Sequence, residues 1–179
     1  MTIHAVDLAA LEPGDRAAVL GCGPIGLLIL QVLLAAGIGA VLVDEPLPHR
    51  LEAAVRLGGI PISTADPRPA VDVVFDAAGT DDAVAAAIDL ARAGGRIVLV
   101  GIPQGDRTTY MASLARRKEL TMQHVRRMRA TDLDRAIELA AAGHVDLASL
   151  VTHRFELEEA RKAFEVLGAR AGIKVIVLP

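Results

Sequence analysis

Gly21, Gly23 and Gly26 stand in the spacing GxGxxG, and an acid, Asp44, follows 18 residues after the last of them. These residue types at this spacing can hold a dinucleotide. Gly21 lets a strand turn sharply, Gly23 lets backbone amides approach a pyrophosphate, and Gly26 lets a helix pack against the strand. Pro24 and Ile25 complete the turn into the helix. An acid ending the next strand accepts hydrogen bonds from both ribose hydroxyls and repels a 2′-phosphate, so Asp44, reinforced by Glu45, favours NAD over NADP. His49 and Arg50 lie close behind, and a cation there can accommodate a phosphate.

Such chemistry needs strands that deliver the loop and the acid to one edge of a sheet. Ala17 to Leu20 reads as the first strand, Leu27 to Ala36 as an aliphatic helix buried between layers, and Ala40 to Asp44 as the second strand. Arg50 to Gly58 reads as a second helix closed by glycine, and Ile60 to Ser63 as a short third strand. Val71 to Asp76 forms a fourth strand, Ala83 to Arg92 its helix, and Arg96 to Val100 a fifth strand running into Gly101, Ile102 and Pro103. Alternation of this kind gives an α/β fold, a Rossmann doubly wound parallel sheet with right-handed crossovers. Ligands on such sheets lie at the carboxyl ends of the strands, which places Gly21, Asp44, Ala78, Gly79 and Gly101 to Pro103 along one cleft. Between Ile62 and Val71 two prolines leave an extended crossover with no helix, uncovering part of one sheet face.

Composition sets the outer bounds. The chain has 179 residues, 53% hydrophobic and only 2% aromatic, so its core is built from Ala, Val, Leu and Ile. A net charge of -3 argues against a general nucleic-acid or membrane-surface role. Ile25 to Leu34, the longest apolar stretch, is too short to span a bilayer. Cys22 is the only cysteine, which excludes an internal disulfide framework and a multi-cysteine metal site; no secretory signal is read, and a cytoplasmic protein is the expectation.

Several segments together resemble the cofactor-binding half of the medium-chain, zinc-dependent alcohol and polyol dehydrogenases, with sorbitol- and threonine-dehydrogenase-like members nearest. They are Pro13-Gly14-Asp15, Gly21 to Gly26, Asp72 to Gly79, Gly94 to Gly101, and the tail Leu150 to Ala160 with its Thr-His-Arg-Phe and Leu-Glu-Glu-Ala. The resemblance spans almost the whole chain. It implies an NAD(P)-binding Rossmann domain over residues 1–130 and, over 131–179, a C-terminal helical and strand appendage that in relatives packs with the catalytic domain. It implies that the backbone of Val100, Gly101 and Ile102 meets the nicotinamide amide, that Ala78 and Gly79 lie beside the adenine or ribose, and that Lys174 reaches the pyrophosphate. The stretch Leu120 to Met128 resembles a strand that shapes the nicotinamide end, which adds Val125 and Arg127. It departs from the family pattern at His124, Arg126 and Met128, which puts ordinary substrate chemistry in doubt. Arg126, Arg127 and Arg129 could bind an anionic substrate or form a solvated face.

Relatives carry a preceding GroES-like domain that supplies the zinc ligands. No such segment is read here, so zinc is expected in full-length relatives and not in this chain. His4, His124, His144 and His153 lack metal spacing, Asp81 and Asp82 suit a helix start, and no catalytic residue is assigned. With part of its usual partner missing, the chain is expected to form at least a homodimer or to meet a separate catalytic-domain chain. Thr108 to Met111 occupies the place of the family's dimer-pairing strand. Three readings follow: the NAD(H)-binding part of such a dehydrogenase, a stand-alone NAD(H)-binding or sensing module, and an S-adenosylmethionine-dependent methyltransferase, whose first loop Leu20 to Pro24 also resembles. Neither of the first two specifies a substrate.

Overall fold

A computed structural model of the chain describes residues 1–65, 70–105 and 107–179. Helix α1 (Thr2–Leu8) precedes strand β1 (Ala17–Leu20), helix α2 (Pro24–Ala35), strand β2 (Val41–Asp44), helix α3 (Pro48–Arg56) and strand β3 (Ile60–Pro61). Strand β4 (Val71–Asp76), helix α4 (Asp81–Leu90), strand β5 (Ala91–Leu99), helix α5 (Ala112–Arg117) and strand β6 (Thr121–His124) complete the main sheet. Helix α6 (Asp132–Ala141), strand β7 (Val151–Glu156), helix α7 (Ala160–Gly168) and strand β8 (Lys174–Leu178) follow.

Six strands form one parallel sheet in the order β3-β2-β1-β4-β5-β6, while β7 and β8 pair parallel in a separate two-stranded sheet. The connection from β1 runs outward to β2 and β3 and then returns to place β4 on the other side of β1. That reversal opens a crevice beyond the carboxyl ends of β1 and β4.

Every residue of β1 is buried, as continuous aliphatic strands covered on both faces must be. Ala17 and Val19 face the layer of α1, α2 and α3 with Val73 and Phe75, whereas Ala18 and Leu20 face α4 with Val74 and Ile88. This is the two-residue alternation of a strand. The appendage shares the first of these cores, contributing Val145, Leu150 and Ile173. Its approach is fixed by a buried amide: Asp146 N–H donates to Gln31 Oε1 at 2.6 Å, across from α2.

Several expectations are revised. Pro61 has no N–H to extend β3, and Thr64 Oγ1 donates to Pro61 O at 2.8 Å, so the chain coils into a 3-10 turn over Ile62–Thr64 instead of continuing as strand to Ser63. Of the extended crossover, residues 66–69 lie outside the described residues. Thr108 to Met111 is not a strand: Thr109 N–H donates to Asp81 Oδ1 at 2.9 Å and the segment pairs with nothing described, which leaves β6 as the sheet edge. Helix α1 was not expected. Lys118 was also unforeseen as a cap; its Nζ donates to the carbonyls of Ile88, Asp89 and Ala91, each at 2.8 Å, where the dipole of α4 ends.

Helix α1 is tied to α6 by charge. Asp7 accepts from Arg135 Nη1 at 2.6 Å and also pairs with Arg129. The Arg135 guanidinium, seconded by Arg129, holds the Asp7 carboxyl below its ordinary range against the opposing effect of burial. A depressed native value means that this stabilisation is complete above the unfolded-state pKa and is lost as pH falls through the native one. Asp7→Asn is therefore expected to melt with a shallower pH dependence between about pH 5 and pH 3 than the wild type. Parallel melting curves against pH would remove Asp7 from the acid response.

Candidate functional site

Apolar β1 ends where Gly21 takes a left-handed backbone, φ 90°, that β-carbon-bearing residues rarely adopt. Its N–H donates to Asp44 O at 2.8 Å, which fastens the glycine turn to the end of β2. Gly26 lies directly behind: a Cβ there would overlap the Gly21 carbonyl oxygen. Gly23 caps α2 with extended backbone, Pro24 follows at the start of the helix, and among the described residues no side chain caps this helix end. The first amides of α2 are thus left for solvent or a ligand. Ile25 is half-buried against the core below.

The turn forms one wall of a cleft of about 610 Å³ at the sheet reversal. Gly21, Gly23, Asp44, Arg50 and Ala78 all line it, joined by Thr80 and Asp82 from the start of α4. The Asp44 carboxylate is exposed in this cleft. Arg50 Nη2 donates to Gly172 O at 2.9 Å, and its Nη1 lies 3.7 Å from where a Cβ on Gly23 would stand.

Gly79 and Gly101 are brought together on the neighbouring side of β4, lining a second cavity of about 330 Å³ with Tyr110 and His124. They pack backbone to backbone, since a Cβ on Gly101 would overlap the Gly79 nitrogen. Beneath them Asp76 Oδ1 accepts from the N–H groups of Ala78 and Gly79, both at 3.0 Å. Burial pushes the Asp76 carboxyl upward, with those two amides opposing.

Pro103 lines the second cavity as well, whereas Val100, Ile102, Val125, Arg127 and Lys174 line neither. Val100 is buried beside the cleft, and Ile102 stands 90% exposed on the loop beyond it. Val125 is half-buried, its N–H donating to Leu99 O at 3.0 Å, and Arg127 is exposed with φ 58°. Lys174 is exposed on β8, and Arg170 is the appendage's cation on the cleft.

Glu45 has a role beyond the one expected of it. It is buried, with Oε2 accepting from Cys22 N–H at 2.7 Å and Oε1 from Leu47 N–H at 3.0 Å. It lines the cleft beside Asp44 and also clamps the glycine loop to the turn before α3. Nothing in the sequence announces the clamp.

Cys22 is buried, and its thiol is pushed up to about 12, first by burial and then by the charges of Glu45 and Asp44. The raised value keeps the thiol protonated at neutral pH, which disfavours it as a nucleophile. Native protein should resist a thiol reagent at pH 8 and react fully once unfolded in denaturant; prompt native labelling would contradict the burial. Among the described residues no three His, Cys, Asp or Glu side chains group as a metal site. The donor set here does not fit a zinc ion.

A family model described as zinc-binding dehydrogenase matches residues 24–142. The D-xylulose reductase of Saccharomyces cerevisiae is 34% identical over 92% of this chain and 51% of its own length. The L-threonine 3-dehydrogenase of Bacillus subtilis is 31% identical over 99% of this chain and 54% of its own. A solved structure from Sinorhizobium meliloti 1021, described as a zinc-binding dehydrogenase bound to NADP, superposes with a TM-score of 0.84 at 29% identity, covering 99% of this chain and 56% of that one. The chain thus spans about half the length of the curated relatives it matches.

Proposed function

This chain belongs to the zinc-binding dehydrogenase family, and we propose that it is the NAD(H)-binding part of a medium-chain zinc-type alcohol or polyol dehydrogenase, in which hydride passes between an alcohol CH–OH and NAD. The observation that carries the reading is the cleft at the β1/β4 reversal, with the glycine turn on one wall and the exposed Asp44 carboxylate on the other. The amides around Gly23 take the pyrophosphate, Asp44 takes the ribose hydroxyls, and Ala78 lies against the adenosine. Gly101 and Ile102 frame the nicotinamide end, where the bound cofactor supplies the hydride acceptor. Asp44 favours NAD, because a 2′-phosphate beside its carboxylate would be repelled. Arg50, and the NADP of the Sinorhizobium relative, weigh on the other side. The match to the dehydrogenase family displaces the methyltransferase alternative.

A second reading, a stand-alone NAD(H)-binding module, is favoured by one specific observation. The described residues assemble no zinc donor set. On the first reading, by contrast, alcohol oxidation belongs to an assembly that joins this half to a zinc-bearing half, on the same polypeptide or another. Residues 1–130 form the NAD(P)-binding domain and 131–179 the segment that meets that half. Leu157 at 61%, Phe164 at 72% and Leu167 at 55% exposure give the second segment an apolar surface to cover, consistent with a homo-oligomer of at least two chains or with a catalytic-domain partner.

Calorimetric titration of the purified chain with NADH, NADPH and S-adenosylmethionine, with and without zinc, tests the reading. Preferential NADH binding that is indifferent to zinc is the expected result. Heat from S-adenosylmethionine alone, or from none of the three, would overturn it.

A further inference from the structure

Arg170 occupies a position where the backbone suits glycine. It closes the turn after α7 with φ 53°, its N–H donating to Leu167 O at 3.1 Å while Ala171 N–H donates to Val166 O at 3.2 Å. The equivalent left-handed residues after α2, α3 and α6 are Gly37, Gly58 and Gly143. Ala10 and Glu119 close α1 and α5 in the same conformation, so the backbone alone marks no function. Location does: Arg170 lines the cleft together with Gly23, Asp44 and Arg50.

We propose that Arg170 is a cofactor-binding residue whose guanidinium engages a phosphoryl group of the dinucleotide in this cleft, alongside Arg50. The inference rests on the reading of the cleft as a dinucleotide site. Three observations support it. Arg50 Nη2 is bonded to Gly172 O at 2.9 Å, which anchors the loop bearing Arg170 two residues away. The other end of the Arg50 guanidinium lies against Gly23, at the expected pyrophosphate position. The ion pairs between described residues engage Arg92, Arg96, Arg129, Arg135, Arg161 and Lys162 and leave Arg170 out of them. Asp44, Glu45 and Asp82 also line the cleft, and Arg50 and Arg170 are the cations among its lining residues that can offset those carboxylates for a polyanionic ligand.

The phosphoryl group is either the pyrophosphate common to NADH and NADPH or the 2′-phosphate of NADPH alone. Arg170→Gly separates binding from folding, because glycine suits the left-handed backbone. Its thermal midpoint should equal or exceed that of the wild type, while dinucleotide affinity falls roughly tenfold, the scale of one charge-assisted hydrogen bond. Loss for NADH and NADPH alike assigns the pyrophosphate, and loss for NADPH alone assigns the 2′-phosphate. Arg170→Lys should restore part of the affinity, and adenosine, which has no phosphate, should bind both variants as it binds the wild type. Unchanged NADH and NADPH affinities in Arg170→Gly, beside a wild type that binds, would overturn this inference alone. A wild type that binds neither would overturn the dinucleotide reading and this inference with it.

Discussion

Gly26→Ala is expected to cost about 3 kcal/mol or more of folding stability, a large part of the roughly 5–15 kcal/mol a domain of this kind has in total. The added methyl would overlap the Gly21 carbonyl oxygen and press on Val19 Cγ1 at 3.3 Å. The first obstacle is backbone, so no side-chain rotation relieves it. Helix α2 would have to lift from β1, and it carries Leu27, Ile29, Leu30 and Leu33, all completely buried. Cofactor affinity goes with it, since the same movement pulls the amides at the start of α2 away from Gly21. Gly39 provides the control: a Cβ there meets nothing within 4 Å, and Gly39→Ala should stay within about 0.5 kcal/mol of wild type. Urea unfolding of the two variants reads the contrast. A Gly26→Ala midpoint close to that of Gly39→Ala would mean that helix and strand are not packed as described.

Asp44→Ala is expected to act in the opposite manner, on binding and hardly on folding. The residue holds the glycine turn through its main-chain carbonyl, which the substitution keeps, and its carboxylate is exposed. Removing the carboxylate deletes the acceptor for two ribose hydroxyls and the charge that repels a 2′-phosphate. NADH affinity should fall roughly tenfold to a hundredfold, the equivalent of about 1.4–3 kcal/mol, while NADPH holds or improves. A preference ratio that does not move would remove Asp44 from cofactor selection. Glu45→Ala should produce the reverse pattern, losing stability because Cys22 N–H, buried with it, is left without an acceptor.

The sequence carried the architecture because its signals were local. β1 and β4 end where the apolar runs meet Gly21 and Asp76, and Gly58 closes α3 with φ 95° as a terminal glycine should. The cleft was equally legible at Gly21, Gly23, Asp44, Arg50 and Ala78, since strand ends of a parallel sheet converge by topology. What escaped depends on distant parts of the chain. Thr108 to Met111 occupies the place of the family's dimer-pairing strand, but no described neighbour offers it a ladder. Lys174 and Arg170 are four residues apart, and which of them reaches the cleft is decided by the turn after α7 and its tether to Arg50. Glu45 next to Asp44 reads as a second cleft acid, which it is, but its bond to the loop amide of Cys22 is not legible there. Helix α1 is short and held by packing on α2 and by the pairs of Asp7, none of which a seven-residue segment announces.

The central claim is that a dinucleotide lies across the crevice at the β1/β4 reversal. Amide resonances of the isotopically labelled chain, followed while NADH is added, test it most directly. Saturable shifts should gather at Gly21, Cys22, Gly23, Asp44, Ala78 and Gly101, with Arg56 and Leu57 at the far end of α3 unmoved. Shifts centred elsewhere, or none at millimolar NADH, would contradict it.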